Sequence, residues 1–189
     1  MMIPLALLLL AAHDPLLPTD AERARLDAGE VLVDIGLPGL SGTPANRVRA
    51  VINAPPEKVW PLVWDCGRFE KTMPSIAKSE LVEKNGNTTV CRVAADLPMP
   101  LPDLVSLAKA THTVEPGVRW QREWKLIEGD YEVNQGSFTL LPWADGKTLA
   151  IYRIEAKPKI PVPEWMMRKA QADRLPELMH RLRKQAGSP

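Results

Sequence analysis

The sequence predicts an α+β domain: a curved antiparallel sheet of about seven strands wrapped around a long C-terminal helix, with an apolar cavity between the two. Three observations carry that expectation. From residue 76 onward, alternating runs are broken by Asn85-Gly86, Glu115-Pro116-Gly117, Glu128-Gly129-Asp130 and Ala144-Asp145-Gly146, which is the punctuation of an antiparallel meander. Residues 164–185 then carry apolar side chains at helical spacing. An antiparallel sheet of this size has one apolar face to cover, and that helix is the long element able to cover it. The 189 residues fit one domain.

Residues 1–12 (MMIPLALLLLAA) form an uncharged apolar run. It is shorter than the roughly 20 residues that span a bilayer, and it ends on Ala11-Ala12. It reads as the core of a secretory signal removed near His13, with a buried N-terminal helix as the alternative. The mature chain would then be exported, periplasmic or secreted; no cysteine follows the run, which excludes a lipoprotein anchor. Residues 13–29 read as an N-terminal extension. Within it, Thr19-Asp20-Ala21-Glu22 has the form of a capping box and Gly29 suits the position past a helix end, which predicts a short helix over 20–28. A strand is expected at 30–35 and a turn-rich connection at 36–45. Residues 46–53 alternate, with Val48, Ala50 and Ile52 on one face. The domain proper is expected over 30–185, with 186–189 as a tail.

Pro55-Pro56 opens a helix, since proline suits the first turn. Val59, Leu62 and Val63 give it a buried stripe, Trp60 and Trp64 lie one turn apart, and Pro61 can kink it. Residues 65–75 form a loop or a second short helix. Strands at 76–83 and 88–95 flank Asn85-Gly86, and a Pro-rich loop occupies 97–103. Strands follow at 104–114, 118–127, 131–141 and 148–157, until Pro158, Pro161 and Pro163 stop the sheet. The 19 prolines are about 10% of the chain, roughly twice the usual share, and suit this many loops and element starts. In the last helix Met167, Gln171, Leu175, Leu178 and Leu182 run down one side, with Trp165 at the start. Pro176 should bend or split it. Its excess of Arg and Lys marks a solvated outer face, or one that touches a membrane transiently.

Three-residue turns at 115–117, 128–130 and 144–146 imply a register in which 114 faces 118, 127 faces 131 and 143 faces 147. Trp120 then lies between His112 and Phe138, Arg122 between Ala110 and Gly136, and Trp124 between Ala108 and Asn134. Phe138 stands opposite Tyr152, and Leu140 opposite Ala150. One face collects Val118, Trp120, Trp124, Phe138, Leu140 and Tyr152, with the polar groups His112, Arg122, Asn134 and Glu132. Arg119, Gln121, Glu123 and Lys125 take the solvent face. Aromatics such as these serve a plain core equally well. The convergent polar groups, and the small residues Ala108, Ala110 and Gly136 beneath them, favour a small-molecule site. The expected pocket residues are therefore His112, Trp120, Arg122, Trp124, Asn134, Phe138 and Tyr152 from the sheet, with Met167 and Leu175 from the helix. Arg122 is the sharpest of these, because a buried charge needs a partner and no carboxylate lies directly opposite. Three partners fit: a helix carboxylate (Glu164, Asp173 or Glu177), pocket water, or a polar group of the ligand.

The net charge of +1, from 24 Lys and Arg against 23 Asp and Glu, lacks the basic excess of a duplex binder, so no nucleic-acid partner is expected. His13, His112 and His180 are not at ligand spacing, and no metal site is expected. The chain has no Gly-rich phosphate loop and no Gly-x-Ser-x-Gly elbow, and no cofactor or catalytic residue is marked. Two cysteines are too few for a disulfide-built scaffold. Cys66 and Cys91 could pair in an exported protein, or simply be two small buried residues.

The stretch APPEKVWPLVWDCGRFEKTMPSI (54–76) resembles the opening of the START-like, or SRPBCC, superfamily, with Asp65, Phe69, Met73 and Pro74 in its Asp-aromatic-Met-Pro segment. LPMPLPDLV (97–105) resembles the family's Pro-rich approach to the fourth strand, although Asp103-Leu104 stands where an Arg-Asp pair is usual. GSFTLLPWADGKTLAIYRIEAKP (136–158) resembles its final hairpin and IPVPEWMMRKAQADRLPELMHRLRKQ (160–185) its closing helix. The resemblance covers about residues 30–185 and is nearest to the polyketide cyclase and coenzyme Q-binding branch. It implies the helix-grip fold and a pocket for an apolar small molecule. The function expected from it is non-catalytic binding or transport of a lipid, quinone, sterol or polyketide-like ligand. One alternative is an aromatase/cyclase-type enzyme, for which Tyr152, His112 or Arg122 would be recruited, although export argues against cytosolic polyketide chemistry. The other is an interaction module with a vestigial pocket.

Overall fold

The computed structural model describes residues 17–99 and 101–187, without the side chains of Glu164 and Gln171. The expected signal segment, 1–12, lies outside the described residues. Helix α1 (Asp20–Asp27) starts at the expected capping box: Thr19 Oγ1 accepts from the Glu22 amide, and the Glu22 carboxylate accepts from the Thr19 amide. It ends where Gly29 takes φ +87°, so that the Gly29 amide donates to Leu26 and the Glu30 amide to Arg25, each at 3.0 Å.

Strands β1 (Leu32–Leu37) and β2 (Ala45–Ile52) come next. Helix α2 (Pro56–Trp64), a 3-10 turn at Cys66–Arg68 and the short helix α3 (Phe69–Thr72) follow. Then come β3 (Ile76–Asn85), β4 (Thr88–Ala95), β5 (Leu104–Glu115), β6 (Arg119–Gly129), β7 (Tyr131–Trp143), β8 (Lys147–Pro158) and helix α4 (Glu164–Gln185). The sheet has eight antiparallel strands in the order β1-β2-β8-β7-β6-β5-β4-β3, against about seven expected. The additional strand arises because the segments before and after the 36–45 connection pair with each other, Val33 opposite Val48. This is the helix-grip arrangement, with α4 across the concave face.

Burial follows the pleat. On β2, Val48, Ala50 and Ile52 are buried against α2 and α4 in a core that also takes Val59, Val63, Trp120, Leu140, Leu178 and Leu182. On the other face of β2 and β8, Val51, Leu149 and Ile151 pack under Leu26 of α1. The N-terminal helix is therefore a second layer on the convex side, and β2 is buried on both faces.

The register of β7 with β8 agrees with the turn count: Phe138 faces Tyr152 and Leu140 faces Ala150. The two pairings before it are each offset by two residues. Glu115 pairs with Arg119, so the turn comprises 116–118; Arg122 lies between His112 and Phe138, and Trp124 between Ala110 and Gly136. A shift of two preserves which face a side chain occupies and changes its neighbours. It also leaves Val118 in the turn, 61% exposed, rather than on the inner face. The β3–β4 hairpin turns on Gly86 and Asn87, with Asn85 opposite Thr88 and Gly86 at φ +54°. Helix α4 runs unbroken through Pro176, where a bend or split was expected. Proline frees the carbonyl four residues earlier, and that residue, Ala172, is solvent-exposed, where water can take the bond.

Candidate functional site

The C-terminal end of β4, the start of β5, the end of β6, the start of β7 and the end of β8 all meet at one end of the sheet, as the pairs Ala95–Leu104, Ser106–Gly129 and Tyr131–Pro158 require. At that end α4 begins, and its first turns stand off from the sheet. A cavity of about 310 Å³ lies between them. It falls in the size range of small-molecule sites. Leu97, Pro158, Met167, Ala170 and Arg174 line its partly exposed mouth. Deeper in, Phe69, Leu104, Trp124, Ile154, Leu175 and Leu178 make an apolar wall. The opposite end of the concave face is closed by α2.

Arg122 is the buried charged residue of the cavity lining, with 6% of its surface exposed. Its guanidinium sits between the rings of Phe69 and Trp124, 5.3 Å from each centroid. Nη2 donates to Cys91 Sγ at 3.7 Å, a weak acceptor, and Nε is buried with no partner. Among the described residues no carboxylate pairs with it. Asp173 is held by Lys169 at 2.9 Å and Glu177 by Arg181 at 2.6 Å; the side chain of Glu164 lies outside the described residues. Burial pushes the Arg122 pKa down to about 10, which leaves it charged at neutral pH.

Trp124 is fixed on three sides. Its Nε1 donates to Asn134 Oδ1 at 3.1 Å, it stacks on Tyr152 at 5.5 Å, and its ring lies over Gly136. The space above Gly136 is thus filled by the indole rather than left open. Phe138 meets Tyr152 edge-on at 5.3 Å. Burial raises the Tyr152 hydroxyl well above its usual pKa, and burial with the nearby Asp130 raises Tyr131 to about 12. Both phenols are neutral donors at physiological pH.

The structure brings seven of the nine expected pocket residues to the cavity: Arg122, Trp124, Asn134, Phe138, Tyr152, Met167 and Leu175. His112 and Trp120 are elsewhere. The offset of two places Trp120 one row beyond Arg122 and His112 directly opposite Arg122, at the end that α2 covers. Trp120 is core, packed with Val59, Val63 and Leu140. His112 touches Trp60 and Trp64 at 5.7 and 5.9 Å, and its Nε2 meets Thr89 Oγ1 at 3.3 Å. Burial first, then the charges of Arg122 and Lys84, lower its pKa to about 4. The turn count did not find Phe69, Met73 or Tyr131, which also line the cavity. Phe69 and Met73 stand one turn apart in the Asp-aromatic-Met-Pro segment, and that i, i+4 spacing was their available signal.

Cys66 and Cys91 form a disulfide, with Cα atoms 6.2 Å apart. It joins the 3-10 turn after α2 to β4, behind Phe69, and Cys91 is part of the cavity wall.

A profile of the family described as polyketide cyclase / dehydrase and lipid transport matches residues 52–183. No curated protein sequence matches the chain. Among solved structures, a STAR-related lipid transfer protein from Xanthomonas axonopodis aligns at 17% identity, covering 84% of this chain and 94% of that one, with a TM-score of 0.71. Human StAR-related lipid transfer protein 5 aligns at 12% identity over 84% and 82%, with a TM-score of 0.72. The Zhui aromatase/cyclase from Streptomyces aligns at 14% identity over 77% and 94%, with a TM-score of 0.63. These likenesses concern the fold, whereas the profile spans well over half of the sequence. The chain therefore belongs to the polyketide cyclase / dehydrase and lipid transport family, within the START-like (SRPBCC) superfamily.

Proposed function

We propose that this protein is a non-catalytic binder or carrier of an apolar small molecule, such as a lipid, quinone, sterol or polyketide-like compound, held between the sheet and α4. The observation that carries the reading is the cavity of about 310 Å³, apolar along its walls and open at one end of the sheet. Two exposed apolar side chains flank that mouth. Met99, 92% exposed, is in the loop that follows Leu97, and Trp165, 61% exposed, is one residue into α4. They suit a transient contact with a membrane surface during loading or release.

The cyclase reading has less support. His112, one of its candidate acid–base groups, lies outside the cavity lining, and the two phenols in the lining are held protonated far above neutral pH.

The reading includes export. The apolar run at 1–12 and the Cys66–Cys91 disulfide both suit an oxidising compartment outside the cytosol. N-terminal sequencing of protein made in its own cell is expected to start near His13; an intact Met1 on cytosolic protein would overturn export.

Organic extraction of the purified, folded protein followed by mass spectrometry tests the binding reading, together with titration by the neutral fluorophore N-phenyl-1-naphthylamine. A stoichiometric extracted molecule, or saturable probe binding that the extract displaces, is the expected result. Neither an extracted molecule nor probe binding would leave the interaction-module reading in its place.

A further inference from the structure

The strand pairings rank the cavity residues by depth. Tyr131 pairs with Pro158 at the mouth, then Asn134 with Ala156, Gly136 with Ile154, and Phe138 with Tyr152. Arg122 pairs with Phe138 and so belongs to this innermost row. The run from Pro158 back to Tyr152 is about 20 Å at roughly 3.3 Å per residue. Beyond it Trp120 and Leu140 are packed under α2. The Arg122 backbone therefore stands at the closed end of a long apolar slot, and its guanidinium reaches back beside Phe69, Trp124 and Cys91, inside the slot and not at its rim. Arg122 is 6% exposed, its Nε has no partner, and among the described residues Nη2 meets only a disulfide sulfur. A charge so placed is costly until a counter-charge reaches it.

Taking the cavity to be a ligand site, we propose that its occupant is an amphipathic monocarboxylate that enters head-first. The carboxylate accepts hydrogen bonds from the Arg122 guanidinium inside the slot, and the apolar tail runs past Trp124 and Ile154 to the mouth. The charge count selects a monoanion. His112, opposite Arg122, is held neutral by burial, and the Tyr152 phenol is also neutral. Lys84 is turned outward over the Trp64 ring at 4.2 Å. The other charged residues of the lining, Asp96 and Arg174, are at the mouth, exposed and half-buried respectively. Inside the slot one buried cation is balanced by one carboxylate, whereas a doubly charged phosphate would leave one negative charge stranded in an apolar site. The guanidinium fork also matches a carboxylate with two parallel bonds.

Isothermal titration at neutral pH with dodecanoate, methyl dodecanoate and dodecyl phosphate tests this. In the unmodified protein, dodecanoate is expected to bind about 10- to 100-fold more tightly than its methyl ester, the worth of a charge-assisted hydrogen bond. Arg122→Met should bring the acid to the level of the ester, and Arg122→Lys should restore part of the preference. The comparison of acid with ester in the unmodified protein decides the matter even where the Met variant fails to fold. Equal binding of acid and ester overturns the anchor while the cavity reading stands, and so does tighter binding of dodecyl phosphate. If N-phenyl-1-naphthylamine binds and dodecanoate does not, the monocarboxylate class falls alone. If neither binds, the binder reading falls with it.

Discussion

Gly136 is glycine because two other groups already occupy its side-chain space. A Cβ there would lie 2.1 Å from the Arg153 carbonyl oxygen and 2.6 Å from Trp124 Cζ2. The first is backbone of the paired strand and the second is an indole pinned by Asn134 and Tyr152, so neither yields easily. Gly136→Ala is expected to cost about 1–3 kcal/mol, the range for overpacking, and to shift tryptophan emission as the indole is pushed into the cavity. A thermal melt and an emission scan check both, and an unchanged pair would mean that the approach is loose. Leu178 is the opposite case: 3% exposed, and shared between the core and the cavity wall. Leu178→Ala is expected to cost about 2–5 kcal/mol by urea unfolding. At this scale the sequence was informative wherever a strict alternation ran through a strand. Arg122 and Trp124 fell on the inner face because Glu123 between them had to face water. Phe69 and Met73 were less legible because they sit on a four-residue helix and the residue after it, where one i, i+4 pair is the whole of the helical signal.

Among the helices, α4 gives the most buried residues to the core. Its Leu175, Leu178, Met179 and Leu182 close the core. Its C-terminal turns are tied by side chains to backbone carbonyls on three other segments: Arg181 to Met73 at 3.0 Å, Gln185 to Lys71 at 2.7 Å, and Arg183 to Val51 and Gly29 at 3.0 Å each. Truncation near residue 160 is expected to give an insoluble or molten product, since the concave face would meet water; a folded, soluble truncate would refute the arrangement. The Cys66–Cys91 link is the second fastening. It closes a sequence separation of 25 residues and so holds α2, α3 and β3 against β4. Loop-closure entropy puts its worth at about 3–4 kcal/mol, so the double Cys66→Ala/Cys91→Ala variant should unfold at clearly lower urea, as should the reduced protein. The order of elements was readable from the turns, and so was the final hairpin. The registers of β5 with β6 and β6 with β7 were not. Each turn is bounded by residues that suit either of two placements, and both placements keep the same apolar face inward, so hydrophobicity cannot choose between them. The error mattered for function, because two residues is the difference between lining the cavity and lying beyond its closed end.

The whole molecule is a three-layer object: α1 and the 38–44 loop outside, the sheet, then α2 and α4 inside. The inner layer was legible from the apolar stripe of α4. The outer one was not, because it is fastened by charge. Arg49, 1% exposed on the convex face, pairs with Glu22 of α1 and with Asp34 of β1. Glu155, on the same face, accepts from the Leu40 and Ser41 amides at 2.8 and 3.0 Å, from Ser41 Oγ at 2.7 Å and from Gln135 at 3.0 Å. Nothing in a one-dimensional pattern says that a lone Arg in a strand will be met by carboxylates 15 and 27 residues away, or a lone Glu by a loop more than a hundred residues away. These fastenings set the response to acid. The bond from Arg49 to Glu22, with that from the Thr19 amide, lowers the Glu22 pKa to about 2. Burial opposes the charge on Glu155, but its hydrogen bonds outweigh that and hold its pKa near 2 as well. His112 on the inner side is lowered to about 4. In all three the unfolded chain takes up its proton first, so stability is lost as pH falls. For His112 the loss begins near its unperturbed 6.5 and is complete below about 4; for the carboxylates it begins near 4.5 and continues to about 2. Urea midpoints should therefore be level between about pH 7 and 9, decline between about 6.5 and 4.5, and fall more steeply below 4.5. Glu155→Gln separates the layers: it should weaken the protein at pH 7 and reduce the steep part of the fall, while the upper part, which belongs to His112 under α2, stays as it was. A midpoint that is flat or rising between pH 6.5 and 3 would show that these three groups do not govern the acid response.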